Sequence, residues 1–276
     1  MTDKMRDWLA LRGPSMIALV LPCIAGLAYL TWFGAPSSFI IINAGTLALG
    51  LLWIALAPQS PVLSSRVLAV FLLALMALPL FTGPHLNGVA RWIPFGPFSL
   101  HSGMAIVPLL VCIAAANRDY APPILLGGVF ITLIQPDAAS AFALMLASVG
   151  LYFAWRDWKP GVVAIIAFIA GLLAAVRGEL PAQPYVEHVI ANLMLESPFA
   201  ALGLLAIVVA SFFAMLFITS QPAVIRFALA GSFAGFTFTA LITNYPTPLI
   251  GFGPAPILGY ALALGAMLVP SSNNKS

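Results

Sequence analysis

Charged residues are scarce in this sequence. Asp, Glu, Lys and Arg make up 7% of its 276 residues, whereas hydrophobic residues make up 62%. An ordinary soluble domain carries a charge on about a quarter of its residues, because those charges cover its surface in water. The scarcity therefore excludes such a domain, and we expect lipid to surround most of the chain.

Cysteine and histidine are rare as well. The two cysteines, Cys23 and Cys112, lie in apolar stretches, which predicts buried thiols and excludes a disulfide framework. The sequence has no metal-ligand spacing, no phosphate-binding glycine loop and no nucleophile elbow, so we expect neither a metal nor another cofactor. The Lys and Arg residues are scattered between apolar runs, which argues against a nucleic-acid partner.

Long apolar runs fill the rest of the chain. A membrane span needs about twenty apolar residues, and fewer where the helix is broken. The runs predict an all-α integral membrane protein, a bundle of about ten transmembrane helices of which some are broken at Pro or Gly. They lie at roughly 14–34, 37–57, 64–82, 102–117, 121–135, 138–155, 160–176, 188–219, 222–243 and 248–269.

The distribution of cations predicts the orientation. Cytoplasmic loops are enriched in Lys and Arg. With these spans and a cytoplasmic N-terminus, only Arg91 and Arg177 fall outside. The cations then placed inside are Lys4, Arg6, Arg12, Arg66, Arg118, Arg156, Lys159, Arg226 and Lys275. We predict one membrane domain over 1–276, with cytoplasmic tails at 1–13 and 270–276 and external loops at 83–101 and 177–187.

Ionisable side chains at membrane depth are costly, at roughly 2.5–3.5 kcal/mol each on insertion scales. Asp137 follows Gln135 and Pro136, where proline and the acid predict a break between the fifth and sixth spans. Asp137 is interpreted as a carboxylate lining a polar cavity or as the N-cap of the sixth span, and the two roles are compatible. Glu196 lies inside the eighth span, where we expect a structural pairing across the bundle.

The predicted external loops contain the other polar candidates. Arg91 can bond two oxygens of a phosphate or pyrophosphate at once, and the alternative is an interfacial anchor formed with Trp92. His101 and His188 each begin a span and are predicted to be solvated caps. The tenth span opens with TNYPTPLIGFGPAPILGYALALG, whose prolines and glycines predict a broken segment that lines a cavity.

Several motifs carry a family resemblance. They are GVARWIPFGPFSL at 88–100, NRD at 117–119, QPDAASA at 135–141, EHVIANLMLES at 187–197 and PTPLIGFGPA at 246–255. In this order and at this spacing they resemble the shape, elongation, division and sporulation (SEDS) family, the FtsW, RodA and SpoVE group. The family has ten spans with both ends in the cytoplasm, which the cation count indicates independently.

The resemblance implies a role in bacterial cell-wall (peptidoglycan) synthesis, cell shape or cell division at the inner membrane. Family members polymerise a lipid-linked cell-wall precursor and work beside a membrane-anchored transpeptidase and other division or elongation proteins. It implies substrate-binding positions at Arg91, Trp92, Gln135, Asp137, Pro248 and Gly253, and structural positions at Pro136, Pro246 and Glu196.

The departures from the family pattern concern catalysis. The family's QPSE is replaced by His101, Ser102, Gly103 and Met104, so its Glu is missing. The external loop that carries the family's catalytic Asp is reduced to 177–187, where Glu179 and Glu187 are the acids. The resemblance therefore assigns no catalytic residue. Three hypotheses follow: a SEDS-like glycosyltransferase with a degenerate loop, a non-catalytic scaffold for a transpeptidase or division partner, and a flippase or transporter of a polyprenyl-linked substrate.

Overall fold

The computed structural model of this protein describes residues 3–58, 61–95 and 98–266. Helices form nearly all of its regular structure, which confirms the all-α prediction. The helices are α1 (Asp3–Trp32), α2 (Ser37–Leu56), α3 (Arg66–Ala77), α4 (Pro79–Thr82), α5 (Ser102–Ala116), α6 (Ala121–Ile134), α7 (Ala138–Trp155), α8 (Trp158–Arg177), α9 (Val189–Glu196), α10 (Pro198–Phe213), α11 (Ala223–Ile242) and α12 (Pro254–Gly265). An antiparallel hairpin, β1 (Trp92–Phe95) and β2 (Phe98–His101), precedes α5.

The helices follow the order of the predicted spans. The third span is divided into α3 and α4, and the eighth consists of α9, α10 and a π-helical turn over Ala214–Ile218. Six of the described helices are long and apolar enough to cross a membrane, and three apolar segments are shorter: Arg66–Thr82, Ser102–Ala116 and Pro254–Gly265. The multi-pass membrane fold is thus confirmed, while ten crossings and the side of each end stay predictions.

The predicted N-terminal tail is helical from Asp3 onward. Helix α1 begins at Asp3, and Arg12 is buried at 3% exposure. Its guanidinium donates to the carbonyls of Ala57 and Gly265, which follow α2 and end α12. These carbonyls have no partner within their own helices. Arg12, which the sequence places in a tail, therefore joins α1 to α2 and α12. The predicted 270–276 tail lies outside the described residues.

Helices α5, α7 and α11 form the centre of the bundle. Nearly all of α5 is buried, and α7 packs against α11 through glycine. A Cβ on Gly235 would lie 2.4 Å from the carbonyl oxygen of Phe142, and one on Gly231 would lie 2.4 Å from that of Leu146. Small residues allow membrane helices to approach this closely. This tight pair fixes the start of α7, where the candidate site begins.

Candidate functional site

Asp137 ends the break between α6 and α7, at the predicted position. Its Oδ1 accepts a hydrogen bond from the backbone N–H of Ser140 at 3.2 Å, so it is the N-cap of α7. The side chain is fully buried, and Oδ2 has no hydrogen-bond partner among the described residues. Nε2 of His101 lies 3.7 Å from Oδ1. The carboxylate therefore holds a helix start and faces a histidine.

His101 caps the neighbouring helix. Its Nδ1 accepts from the backbone N–H of Met104 at 3.3 Å, which starts α5. The predicted cap is confirmed, but it is buried at 5% exposure instead of solvated. Burial lowers the pKa of His101 to about 4, against the opposing charge of Asp137. The ring is thus neutral near pH 7 and separates Asp137 from the cavity described below.

Gln135 has a structural contact in this break. Its Nε2 donates to the carbonyl of Met76 at 2.7 Å, which joins the end of α6 to α3. The side chain is fully buried and lines neither of the two cavities described below. The contact supports a role for Gln135 in fixing the break rather than in touching a substrate.

Tyr245 connects this break to the loop before α12. Its hydroxyl accepts from the N–H of Ala138 at 2.9 Å and lies 3.4 Å from the carbonyl of Pro136, to which it can donate. The residue is buried at 3% exposure, and burial raises its pKa. Sequence reasoning missed Tyr245. Its only signal was a tyrosine beside the prolines of TNYPTP.

Arg91 is the third partner of the Tyr245 hydroxyl. Its Nη1 lies 2.5 Å from that oxygen and donates to the carbonyl of Gly178 at 3.3 Å. The guanidinium carbon lies 4.7 Å from the ring centre of Trp92 and 4.4 Å from that of Tyr245. With 2% exposure Arg91 is held between two rings, unlike a solvated interfacial anchor.

Arg91 lines a cavity of about 420 Å³, here called the polar cavity. The other polar residues around it include Asn87, Gln183 and Glu187. Glu187 is half-buried, and its carboxylate accepts from the backbone N–H of Gln183. Burial raises the pKa of Glu187, while that hydrogen bond and the charge of Arg91 oppose the rise. Glu179, the other acid of this loop, is exposed and does not line the cavity.

A second cavity of about 440 Å³, here called the aromatic cavity, lies beside the first. The rings of Phe39 and Phe252 stack in its wall at 3.7 Å between centres. Trp92 and Ser99 line both cavities and so form their common wall. The aromatic cavity is also lined by His101, Pro246 and Gly253. Aromatic rings and prolines suit the apolar faces of a sugar or the start of an isoprenoid chain.

The short connection between α8 and α9 is fixed to the segment before α12 by backbone hydrogen bonds. Thr247 donates to the carbonyl of Val186 at 3.0 Å, and Phe252 donates to that of Tyr185 at 2.8 Å. The side chain of Asn244 donates to the carbonyl of Leu180 at 2.8 Å and contacts Nε2 of His188. This docking places Glu187 opposite Arg91.

The predicted binding residues thus separate into two groups. Arg91, Trp92 and Gly253 line the cavities, as does Pro246, which was predicted to be structural. Gln135, Asp137 and Pro248 are buried and line neither cavity.

The prediction for Glu196 is wrong. It is the last residue of α9 and is exposed, and no ion pair to it occurs within the described residues. The eighth span breaks at Ser197, directly before Pro198, because the residue preceding a proline disfavours helical backbone. The break moves Glu196 out of the helix interior that the sequence suggested.

Comparison with known proteins gives several relationships, although no family model matches the chain. It is 30% identical over 158 residues to a probable peptidoglycan glycosyltransferase FtsW of Halorhodospira halophila. That alignment covers 51% of this chain and 38% of the relative, so the chain matches well under half of the relative's length.

The fold is shared over a longer stretch. The rod shape determining protein RodA of Thermus thermophilus superposes with a TM-score of 0.68 at 20% identity, covering 94% of this chain and 97% of RodA. A chain of a peptidoglycan synthase complex superposes with a TM-score of 0.59 at 18% identity, covering 91% and 95% of the two chains. The chain thus resembles FtsW in sequence over about half of its length, and it shares the fold of RodA over nearly all of it.

Proposed function

We propose that this protein takes part in peptidoglycan synthesis at the bacterial inner membrane, by binding a lipid-linked precursor in the polar cavity and transferring its glycan. One observation carries the proposal: Arg91 and Glu187 line the same cavity. The first supplies a fixed positive charge and the second a carboxylate whose pKa is raised by burial.

The two groups match the needs of glycosyl transfer. A hydroxyl of the acceptor sugar forms a bond to the anomeric carbon of the donor, while the bond from that carbon to the pyrophosphate breaks. Glu187 would take the hydroxyl proton as general base, and a raised pKa brings it closer to the optimum for this task. Arg91 would stabilise the charge on the leaving pyrophosphate.

The other acids fit the task less well. Asp137 is fully buried behind His101, and its carboxylate caps α7 by accepting from the N–H of Ser140. Glu179 is exposed and does not line the polar cavity. Glu187 therefore replaces the loop acid that the family resemblance leaves unmatched.

The comparisons support the substrate class and the partner. The FtsW relative bears the name of a probable peptidoglycan glycosyltransferase, and one structural neighbour belongs to a peptidoglycan synthase complex that couples polymerisation and crosslinking. We propose a membrane-anchored transpeptidase as the partner of this chain, and cytoplasmic positions for both of its ends.

A polymerisation assay with labelled lipid-linked precursor tests the proposal. The purified protein, with its co-purified transpeptidase, should form glycan product, and Glu187→Gln should abolish it. Glu179→Gln is the matched control, because it removes an acid from the same loop outside the cavity, and it should retain activity. Arg91→Lys keeps the charge but loses the planar fork, so activity should fall strongly.

Other outcomes favour the alternatives. If the wild-type complex forms no product although the partner stays bound, the chain is a non-catalytic scaffold. If precursor crosses the bilayer of proteoliposomes without polymerisation, it is a flippase. Equal loss of activity in Glu187→Gln and Glu179→Gln would remove the assignment of Glu187.

A further inference from the structure

Four cations that are scattered in the sequence come together in the fold. Arg66 begins α3, Arg118 precedes α6, and Arg156 and Lys159 flank the turn between α7 and α8. All four side chains are exposed. Helices α5 and α7 both start beside the cavities and end here, so this group, called the basic patch, lies at the opposite end of the bundle.

Side-chain contacts join the three connections that carry the basic patch. The guanidinium carbon of Arg66 lies 3.6 Å from the ring centre of Tyr120, in the connection that carries Arg118. Nη2 of Arg118 lies 3.6 Å from Oδ2 of Asp157, in the turn that carries Arg156 and Lys159. The three connections that carry the four cations therefore lie next to one another and form one surface.

The charge of this surface is not balanced by the protein. Asp119 and Asp157 are the acids in the same connections, which leaves two positive charges in excess. Asp157 is already occupied, because it pairs with Arg118 and accepts from the N–H of Lys159. Within the described residues, Arg66, Arg156 and Lys159 form no ion pair.

Two of the cations stand at positions that local structure disfavours. Arg156 ends α7 in the left-handed conformation with φ of 55°, where glycine is usual. Lys159 lies in the first turn of α8, where the helix dipole disfavours a positive charge. The guanidinium carbon of Arg156 lies 5.8 Å from the ring centre of Phe153, whereas the charge of Lys159 is unfavourable where it stands, and a bound anion would offset that cost.

The residues beside the basic patch indicate which kind of anion it binds. Large apolar side chains beside the cations are exposed, with 81% for Val67 and 69% for Trp158. An acidic soluble partner would leave these groups in water, whereas a lipid covers them with its acyl chains. Cations next to aromatic and aliphatic side chains are the arrangement found at the headgroup level of a bilayer.

We propose that the basic patch binds the anionic headgroup of a membrane phospholipid, with its phosphate against Arg66, Arg156 and Lys159. The inference does not depend on the proposed glycosyl transfer, since the two sites lie at opposite ends of the bundle.

Native mass spectrometry in detergent tests this directly. The protein is titrated with phosphatidylglycerol and, separately, with phosphatidylcholine of the same acyl chains. We expect tighter retention of phosphatidylglycerol. The triple variant Arg66→Gln, Arg156→Gln, Lys159→Gln should weaken that retention on the order of a hundredfold, because each cation near an anionic surface contributes about a factor of five.

The matched control is Arg177→Gln, which removes an exposed cation from the last turn of α8, the helix that carries Lys159 in its first turn. It should leave lipid retention unchanged. Thermal unfolding in the same detergent checks that the triple variant is folded. Equal retention of both lipids by the wild-type protein, unchanged retention by the folded triple variant, or an equal loss in Arg177→Gln would overturn the proposal. Preferential binding of an acidic soluble peptide would also overturn it. Such a peptide would displace phosphatidylglycerol, and the two lipids would then be retained equally.

Discussion

The hydroxyl of Tyr245 lies 2.5 Å from Nη1 of Arg91 and 2.9 Å from the backbone nitrogen of Ala138. One side chain from the loop before α12 therefore holds both the cation of the polar cavity and the first residue of α7. The position of Arg91 depends on this loop, and the loop in turn is bonded to the segment that carries Glu187. Arg91 and Glu187, the two groups of the proposed reaction, are thus both held by the loop before α12.

Removal of this hydroxyl should affect both stability and activity. Tyr245→Phe keeps the ring against Arg91 but leaves the N–H of Ala138 without its partner. A buried donor left unpaired costs about 1–3 kcal/mol, so we expect a lower unfolding temperature in detergent. Polymerisation should fall as well, because Arg91 loses one of its two hydrogen bonds.

Tyr260→Phe is the control for this prediction. Tyr260 is also fully buried, and its hydroxyl bonds Ser232 between α11 and α12, away from both cavities. This variant should lose stability while its rate of polymerisation stays unchanged. If Tyr245→Phe behaves in the same way, Tyr245 is structural only.

Much of the fold followed from the pattern of apolar runs. The break at Gln135, Pro136 and Asp137 was predictable because proline removes a backbone donor and an acid at a helix start accepts N–H bonds. The position of Glu196 was predicted wrongly because the apolar run continues past Ser197, whereas the helix α9 ends there, before the following proline.

The site was less predictable for a physical reason. Arg91 and Gly253 stood out by type and by family resemblance, yet Tyr245 and the position of Glu187 depend on long-range docking of two loops. The β-bridge between Glu187 and Pro246 joins positions far apart in the chain, and no local pattern encodes such a pairing.

The proposed role of Glu187 predicts a pH profile. An ordinary glutamate has a pKa of about 4.3, and burial raises the pKa of Glu187 above that value. A general base must be ionised, so kcat/KM should begin to fall, as the pH is lowered, at a pH above that of an ordinary glutamate. The measurement is the pH dependence of polymerisation by the wild-type complex. An acid limb at or below the ordinary value would contradict the assignment.

The same raised pKa predicts the stability of Glu187→Gln. Because the folded state holds this proton more tightly than the unfolded state does, Glu187 favours folding below its unfolded pKa, and this contribution is lost as the pH rises through its folded pKa. At neutral pH the glutamine variant should therefore unfold at no lower a temperature than the wild type. A clear drop would mean that any loss of activity reflects misfolding.

The contact between α7 and α11 predicts a difference between two glycines. A Cβ on Gly235 would lie 2.4 Å from the carbonyl oxygen of Phe142, whereas one on Gly45 in α2 meets no atom within 4 Å. Gly235→Ala should destabilise the protein by about 1–3 kcal/mol, because backbone has to move. Gly45→Ala should leave the unfolding temperature equal or slightly higher. Equal unfolding temperatures of the two variants would contradict this prediction, because they would show that α7 and α11 can move apart at no cost in free energy.

Two substitutions of Asp137 separate its structural role from substrate binding. Asparagine keeps the oxygen that accepts from the N–H of Ser140, whereas alanine removes this cap, at a cost of about 1 kcal/mol. Because Asp137 is fully buried and lines neither cavity, Asp137→Asn should retain most of the stability and most of the activity, and Asp137→Ala should lower both. If Asp137→Asn abolishes polymerisation while the unfolding temperature is unchanged, the negative charge of Asp137 acts in the reaction. Its effect would then have to reach the cavity through His101.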